Sequence, residues 1–178
     1  GVEDILSNLL LRKFAPLKSE VKDIFIEEFG KEHSSYYSIL LALARGKCTK
    51  KEIQDVVDIK DTSLSPYMYD LIDILDVVKY KLPVTEKETS KKGRYVMNDN
   101  FFRFWFNLFY PDISYYESEN FEHMEKSIKE NINIFFGRGF EDFCRELIEK
   151  NKSVFGFQKI GSWWSRKGDE IDIVALND

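Results

Sequence analysis

Apolar residues recur at helical spacing over most of this chain and at strand spacing in a few short runs. Val2–Phe29 has helical periodicity broken by Pro16, and its end, Phe25-Ile26-Glu27-Glu28-Phe29-Gly30, suits a helix stopped by glycine. Tyr36–Ala44 predicts a short, largely buried helix with Gly46 as its stop. Thr49-Lys50-Lys51-Glu52 is a capping box, in which hydroxyl and carboxylate each satisfy the other's backbone amide; Ile53, Val56 and Val57 then face one side.

A turn over Asp58–Asp61 leads to Thr62-Ser63-Leu64-Ser65-Pro66, where hydroxyl caps and a first-turn proline start a third helix reaching Leu75. Leu64, Met68, Leu71, Ile72 and Leu75 form its apolar stripe. Val77–Leu82 and Arg94–Met97 read as strands joined by a lysine-rich loop. Three helices and a basic hairpin predict a winged helix-turn-helix.

The block Asn100–Tyr110 is apolar nearly all round, which predicts a connecting helix buried on several sides; core packing, not an aromatic cofactor box, accounts for it. Pro111 ends it, and Glu117, Glu119, Glu122, Glu125 and Glu130 form a solvated acidic face. From Ile132 a further helix carries Phe136, Phe140, Phe143, Leu147 and Ile148, with Glu141 beside the stripe. Phe155–Trp164 reads as a strand, Ser165–Asp169 as a turn and Glu170–Leu176 as the last strand. The fold class is therefore α+β. Its parts are a helical lead-in (1–33), a winged helix-turn-helix (34–99), a helical connector (100–131) and an incomplete nuclease-like α/β domain (132–178).

With 178 residues, the chain has material for one or two small domains. Cys48 and Cys144 are far apart, and His33 and His123 have no partner at ligand spacing, which argues against structural zinc and a disulfide framework. No apolar run approaches the ~18–20 residues that span a bilayer, and Gly1-Val2-Glu3-Asp4 lacks the basic start of a secretory signal. A cytoplasmic protein with no membrane contact is expected.

The net charge of −5 disfavours nucleic-acid binding by the whole surface. Between Lys79 and Arg94, however, six basic residues face two acidic ones. In a winged helix, Lys87, Lys91, Lys92 and Arg94 would meet phosphates while Ser63, Ser65 and Tyr67 of the third helix approach a major groove. That helix has no arginine for bidentate reading of guanine, so binding to double-stranded DNA would lean on phosphates and weaken steeply with salt. The same module could instead dock protein.

Asp172 lies between apolar neighbours in the last strand, and an unpaired carboxylate there needs a hydrogen-bond partner, a cation or water. Glu141 precedes it on the amphipathic helix; spacing alone favours an ordinary pair of Glu141 with Arg145, worth ~0.3–0.5 kcal/mol.

Several motifs in order carry a resemblance: Tyr36-Tyr37-Ser38-Ile39-Leu40, Pro83-Val84-Thr85-Glu86, Gly93-Arg94-Tyr95, Asn98–Phe106, Gly137-Arg138-Gly139-Phe140-Glu141, and Trp163-Trp164 through Ala175. Together they resemble the C-terminal half of archaeal P-loop ATPases that carry a winged helix followed by the domain of unknown function DUF234. The resemblance runs from about Tyr36 onward. No GxxxxGK[ST] loop is present, so no residue here is assigned to ATP.

The family's last domain is similar to the PD-(D/E)XK nuclease fold, which implies Glu141 and Asp172 as carboxylates of a magnesium site that activates water. The Glu-x-Lys strand expected to complete it is missing, so the chain as given is not expected to cut DNA. The resemblance implies a non-catalytic DNA-binding and coupling region of an ATPase-nuclease-like protein. Two alternatives stay open: a module docking on an ATPase domain or subunit, or a nuclease completed by residues or a chain from elsewhere. An exposed strand edge would also favour pairing into a homo-oligomer.

Overall fold

Helix α1, His33–Ala44, ends in a Schellman turn. Gly46 adopts φ +80°, its amide donates to Leu43 O at 3.0 Å, and the Lys47 amide donates to Ala42 O at 3.0 Å. Helix α2, Lys50–Gln54, starts at the predicted capping box: Thr49 Oγ1 accepts from the Glu52 amide at 3.3 Å, and Glu52 Oε2 accepts from the Thr49 amide at 2.9 Å. Thr49 Oγ1 also donates to Glu52 Oε2 at 2.7 Å, and this bond first, with the Thr49 amide second, lowers the Glu52 pKa. The computed structural model describes residues 5, 8–17, 20, 23, 24, 27, 33–57 and 64–177. The expected turn at Asp58–Asp61, the start of the third helix at Thr62 and Ser63, and much of the lead-in lie outside the described residues.

Helix α3, Leu64–Tyr69, widens into a π-helical turn over Asp70–Ile74, closed by the Leu75 amide on Asp70 O at 2.9 Å. The widening starts at Asp70, whose carboxylate accepts a hydrogen bond from the Tyr36 hydroxyl of α1. Strands β1, Val78–Lys81, and β2, Arg94–Met97, form a two-stranded sheet.

The aromatic block does not make one uniform helix. Asp99 Oδ1 caps helix α4, Asn100–Phe104, by accepting from the Phe102 amide at 2.8 Å; a π turn (Trp105–Phe109) and a 3-10 turn (Tyr110–Asp112) follow. Trp105 stacks on Phe109 at 4.2 Å and its indole donates to the Tyr37 hydroxyl at 3.3 Å. Burial pushes the Tyr37 pKa up to about 12. Helix α5, Ile113–Glu117, precedes the 30-residue helix α6, Phe121–Lys150. Glu122, Glu125 and Glu130 of the acidic stretch thus share one helix with the later apolar stripe, read as a separate element from sequence, while Glu117 ends α5 and Glu119 lies between the two helices. No proline intervenes, and helical Gly137 and Gly139, at about 1 kcal/mol each, do not break it.

Two compact units divide the chain: Gly1–Lys79 with Tyr95–Asn133, and Tyr80–Arg94 with Ile134–Asp178. The first holds the packed core, with Ile39, Leu40, Ile53, Leu64, Leu71, Val78, Phe106, Phe109, Met124 and Ile128 fully buried.

In the second, helix α7, Lys152–Phe155, is stopped by Gly156 at φ +67°, so Phe155 ends a helix and strand β3 starts later, at Lys159, and runs to Trp164. Strand β4, Glu170–Leu176, pairs antiparallel with β3. The turn between them is closed by the Ser165 amide on Asp169 O at 2.9 Å, with Gly168 at φ +98°. On the other side of β3, the Val84 amide donates to Ser162 O at 2.8 Å. Gly161 permits that approach, since a Cβ there would lie 3.1 Å from Val84 Cβ. The mixture of helices and small antiparallel sheets is α+β.

Candidate functional site

Both carboxylates singled out in the sequence lie in the second unit. Glu141 sits on α6, half-buried, and Asp172 on β4, exposed. Burial raises the pKa of Glu141, and the neighbouring charge of Asp172 raises it further, while Arg138 and Arg145 oppose the shift. Asp172 thus acts on Glu141 as a like charge. Solvent satisfies the exposed Asp172 carboxylate, so the strand needs no buried counter-ion.

Arg145 does not make the pair with Glu141 that spacing suggests. Its Nη1 lies 3.1 Å from Asp142 Oδ1, and its Nη2 donates to Ser162 Oγ at 3.0 Å and to Asp172 O at 3.1 Å. Among the described residues, no group of three or more histidine, cysteine, aspartate or glutamate side chains is placed to hold a metal ion. Carboxylates are donors of the kind that hard, oxygen-seeking magnesium takes, commonly one or two of them plus water and phosphate oxygens. The repulsion of Glu141 by Asp172 is what a cation would relieve.

The cations of the hairpin loop fall into two groups. Lys92 Nζ is 2.6 Å from Glu86 Oε1, and Arg94 Nη1 is 3.0 Å from Glu170 Oε2 with its guanidinium 4.8 Å from the centre of the Trp164 ring. The Trp164 indole also donates to Lys92 O at 3.1 Å. Lys87 and Lys91 are exposed and form no ion pair among the described residues. Lys92 and Arg94 are thus partly committed to their own unit.

In the first unit, Ser65 is exposed and accepts from Lys50 Nζ at 3.1 Å. Tyr67 packs edge-on against Tyr36 at 4.8 Å. Ser63 lies outside the described residues.

From spacing alone Arg145 is only a surface partner of Glu141, and Ser162 has no assigned role. The partner strand offered a signal, since a serine flanked by Gly161 and Trp163 is a poor apolar strand residue and a good side-chain donor.

Comparison with known proteins bears on the same segment. Residues 105–178 match the family model DUF234. DUF234 is described as archaea bacterial proteins of unknown function. The DUF234 match includes Glu141, Arg145, Ser162 and Asp172, whereas Lys87, Lys91, Lys92 and Arg94 precede it. An uncharacterized protein of Methanocaldococcus jannaschii is 39% identical over 179 aligned positions, covering 98% of this chain and 40% of that relative. The chain thus spans about two fifths of the length of the relative it matches. No solved structure gives a significant match. Among the described residues, no helix is long and apolar enough to cross a membrane.

Proposed function

We propose that this chain is a DNA-binding and coupling region of a larger ATPase-nuclease-like protein, in which its DUF234 segment supplies two carboxylates of a magnesium site. The observation that carries the reading is that α6 and β4 are tied together next to the two acids, Arg145 Nη2 donating to Asp172 O at 3.1 Å one helical turn from Glu141. Packing gives no reason to set two acids together, and doing so costs electrostatic energy, whereas phosphodiester chemistry has a use for them. Magnesium bound there would polarise a phosphate and activate water. Glu141 and Asp172 would hold it, and further ligands would come from residues outside this chain.

DNA contact in this reading belongs to the basic loop between β1 and β2, the wing of the winged helix-turn-helix expected from the sequence. The loop offers Lys87 and Lys91 to phosphates first, with Lys92 and Arg94 available only by giving up internal pairs. Fluorescence anisotropy of a labelled duplex over a salt series tests it. Salt-sensitive binding lost in Lys87→Ala/Lys91→Ala supports the reading, and no binding at low salt overturns it.

A second reading, docking on protein, is favoured by the exposed Phe136, Phe140, Phe143 and Leu147 of α6. They recur at the 4-3-4 spacing of a helix-packing seam. The occupant we propose is the remainder of a longer polypeptide of the relative's kind, because the matched stretch is only 40% of that relative. Co-expression of this chain with the rest of such a polypeptide tests it: a complex lost in Phe140→Asp supports docking, and no complex opposes it.

A further inference from the structure

The β3–β4 ladder is interrupted at one position. Gly161 pairs with Val174 and Trp163 with Ile171, so Asp172 and Ile173 together stand opposite Ser162. This is a β-bulge, which leaves backbone groups outside the ladder and re-aims the side chain beside them. Side chains take up the Asp172 carbonyl instead: Ser162 Oγ donates to it at 2.9 Å and Arg145 Nη2 at 3.1 Å.

The same Nη2 also donates to Ser162 Oγ at 3.0 Å, while Nη1 reaches Asp142 Oδ1 at 3.1 Å. Arg145 lies one helical turn after Glu141, so a single guanidinium ties the helix that carries one acid to the bulge that carries the other. Its side chain is only 20% exposed, and its Nε is buried without a hydrogen-bond partner. An arginine serving only as a solvated partner for Asp142 would not accept that cost. Lysine could not replace it, because one ammonium cannot reproduce the planar fork that reaches these oxygens from two nitrogens.

We infer that Arg145 is the positioning residue of the Glu141–Asp172 pair: by holding the bulge carbonyl of Asp172 it fixes the strand acid against the helix acid. What the pair binds rests on the magnesium reading proposed above; the clamp itself does not.

The test uses the whole chain with Mn2+ as probe, following paramagnetic broadening of NMR signals around positions 141 and 172, and measures NOEs between residues 141–145 and 171–173. For Arg145→Lys, with far-UV circular dichroism unchanged, we expect these NOEs to be lost and Mn2+ affinity to fall about 10-fold, the usual scale for groups that orient metal ligands. Ser162→Ala, which leaves the direct Arg145 contact, should lower affinity less than Arg145→Lys does. A purely structural role for Arg145 would lower melting temperature with affinity and NOEs retained, and that result overturns the inference. If the unaltered chain binds no Mn2+, the magnesium reading fails, and the NOEs alone then decide: their loss in Arg145→Lys upholds the clamp, and their persistence sinks it.

Discussion

Arg94 is held by Glu170, with Nη1 3.0 Å from Oε2. A cation that the sequence assigns to phosphate contact is thus partly committed to strand β4, and its guanidinium also covers Trp164. Arg94→Ala should cost about 1 kcal/mol of stability through the lost ring contact. Lys87→Ala and Lys91→Ala, at exposed sites, should leave stability unchanged. In DNA titrations each lysine replacement should lower the salt slope by about 1. Thermal melts and anisotropy on the same three variants separate the roles; equal loss of DNA affinity in Arg94→Ala without any change in melting would contradict the division.

Gly93 adjoins Arg94 and faces the Tyr80 ring, where an added Cβ would lie 2.2 Å from Cζ and 2.6 Å from the hydroxyl oxygen. The ring would have to leave its place. Gly93→Ala should therefore destabilise the chain by about 1–3 kcal/mol, the cost of overpacking. Tyr80→Ala in the same background should recover part of that loss, and denaturant melts of the two variants check it.

Local rules made much of the fold legible. The Thr49–Glu52 box and Gly46 sit where propensity and capping place them, because each acts within one turn of backbone. The aromatic block was legible as core but not as a succession of α, π and 3-10 turns, which tertiary packing around Tyr37 accompanies. The candidate site was half legible. Glu141 and Asp172 followed from a family resemblance, but the bulge opposite Ser162 depends on strand register, which alternation alone does not fix.

Removing the capping box gives a plain stability test. Thr49→Ala loses the hydroxyl that caps Glu52 and should cost about 1 kcal/mol. Glu52 has a lowered folded pKa, so its contribution is present above the unfolded pKa and is lost as pH falls through the folded one. The gap between Thr49→Ala and the unaltered chain should accordingly narrow on acidification. A gap independent of pH would show that the carboxylate takes no part.

Glu141 has the opposite sign. Burial first, and Asp172 second, raise its folded pKa, so the native chain holds the proton more tightly than the unfolded chain does. The charged form therefore costs stability above the folded pKa, and that cost fades as pH falls through it toward the unfolded value. Glu141→Gln should raise the melting temperature at neutral pH without metal, and the gain should shrink as the medium is acidified. Asp172→Asn should give a smaller gain, since its charge is only the second cause of the shift. Millimolar Mg2+ should reverse the order, stabilising the unaltered chain and leaving both variants unmoved. Melts at neutral and acidic pH, with and without Mg2+, decide it: an unaltered chain that outlasts Glu141→Gln at neutral pH without metal would mean that the two acids are not in conflict.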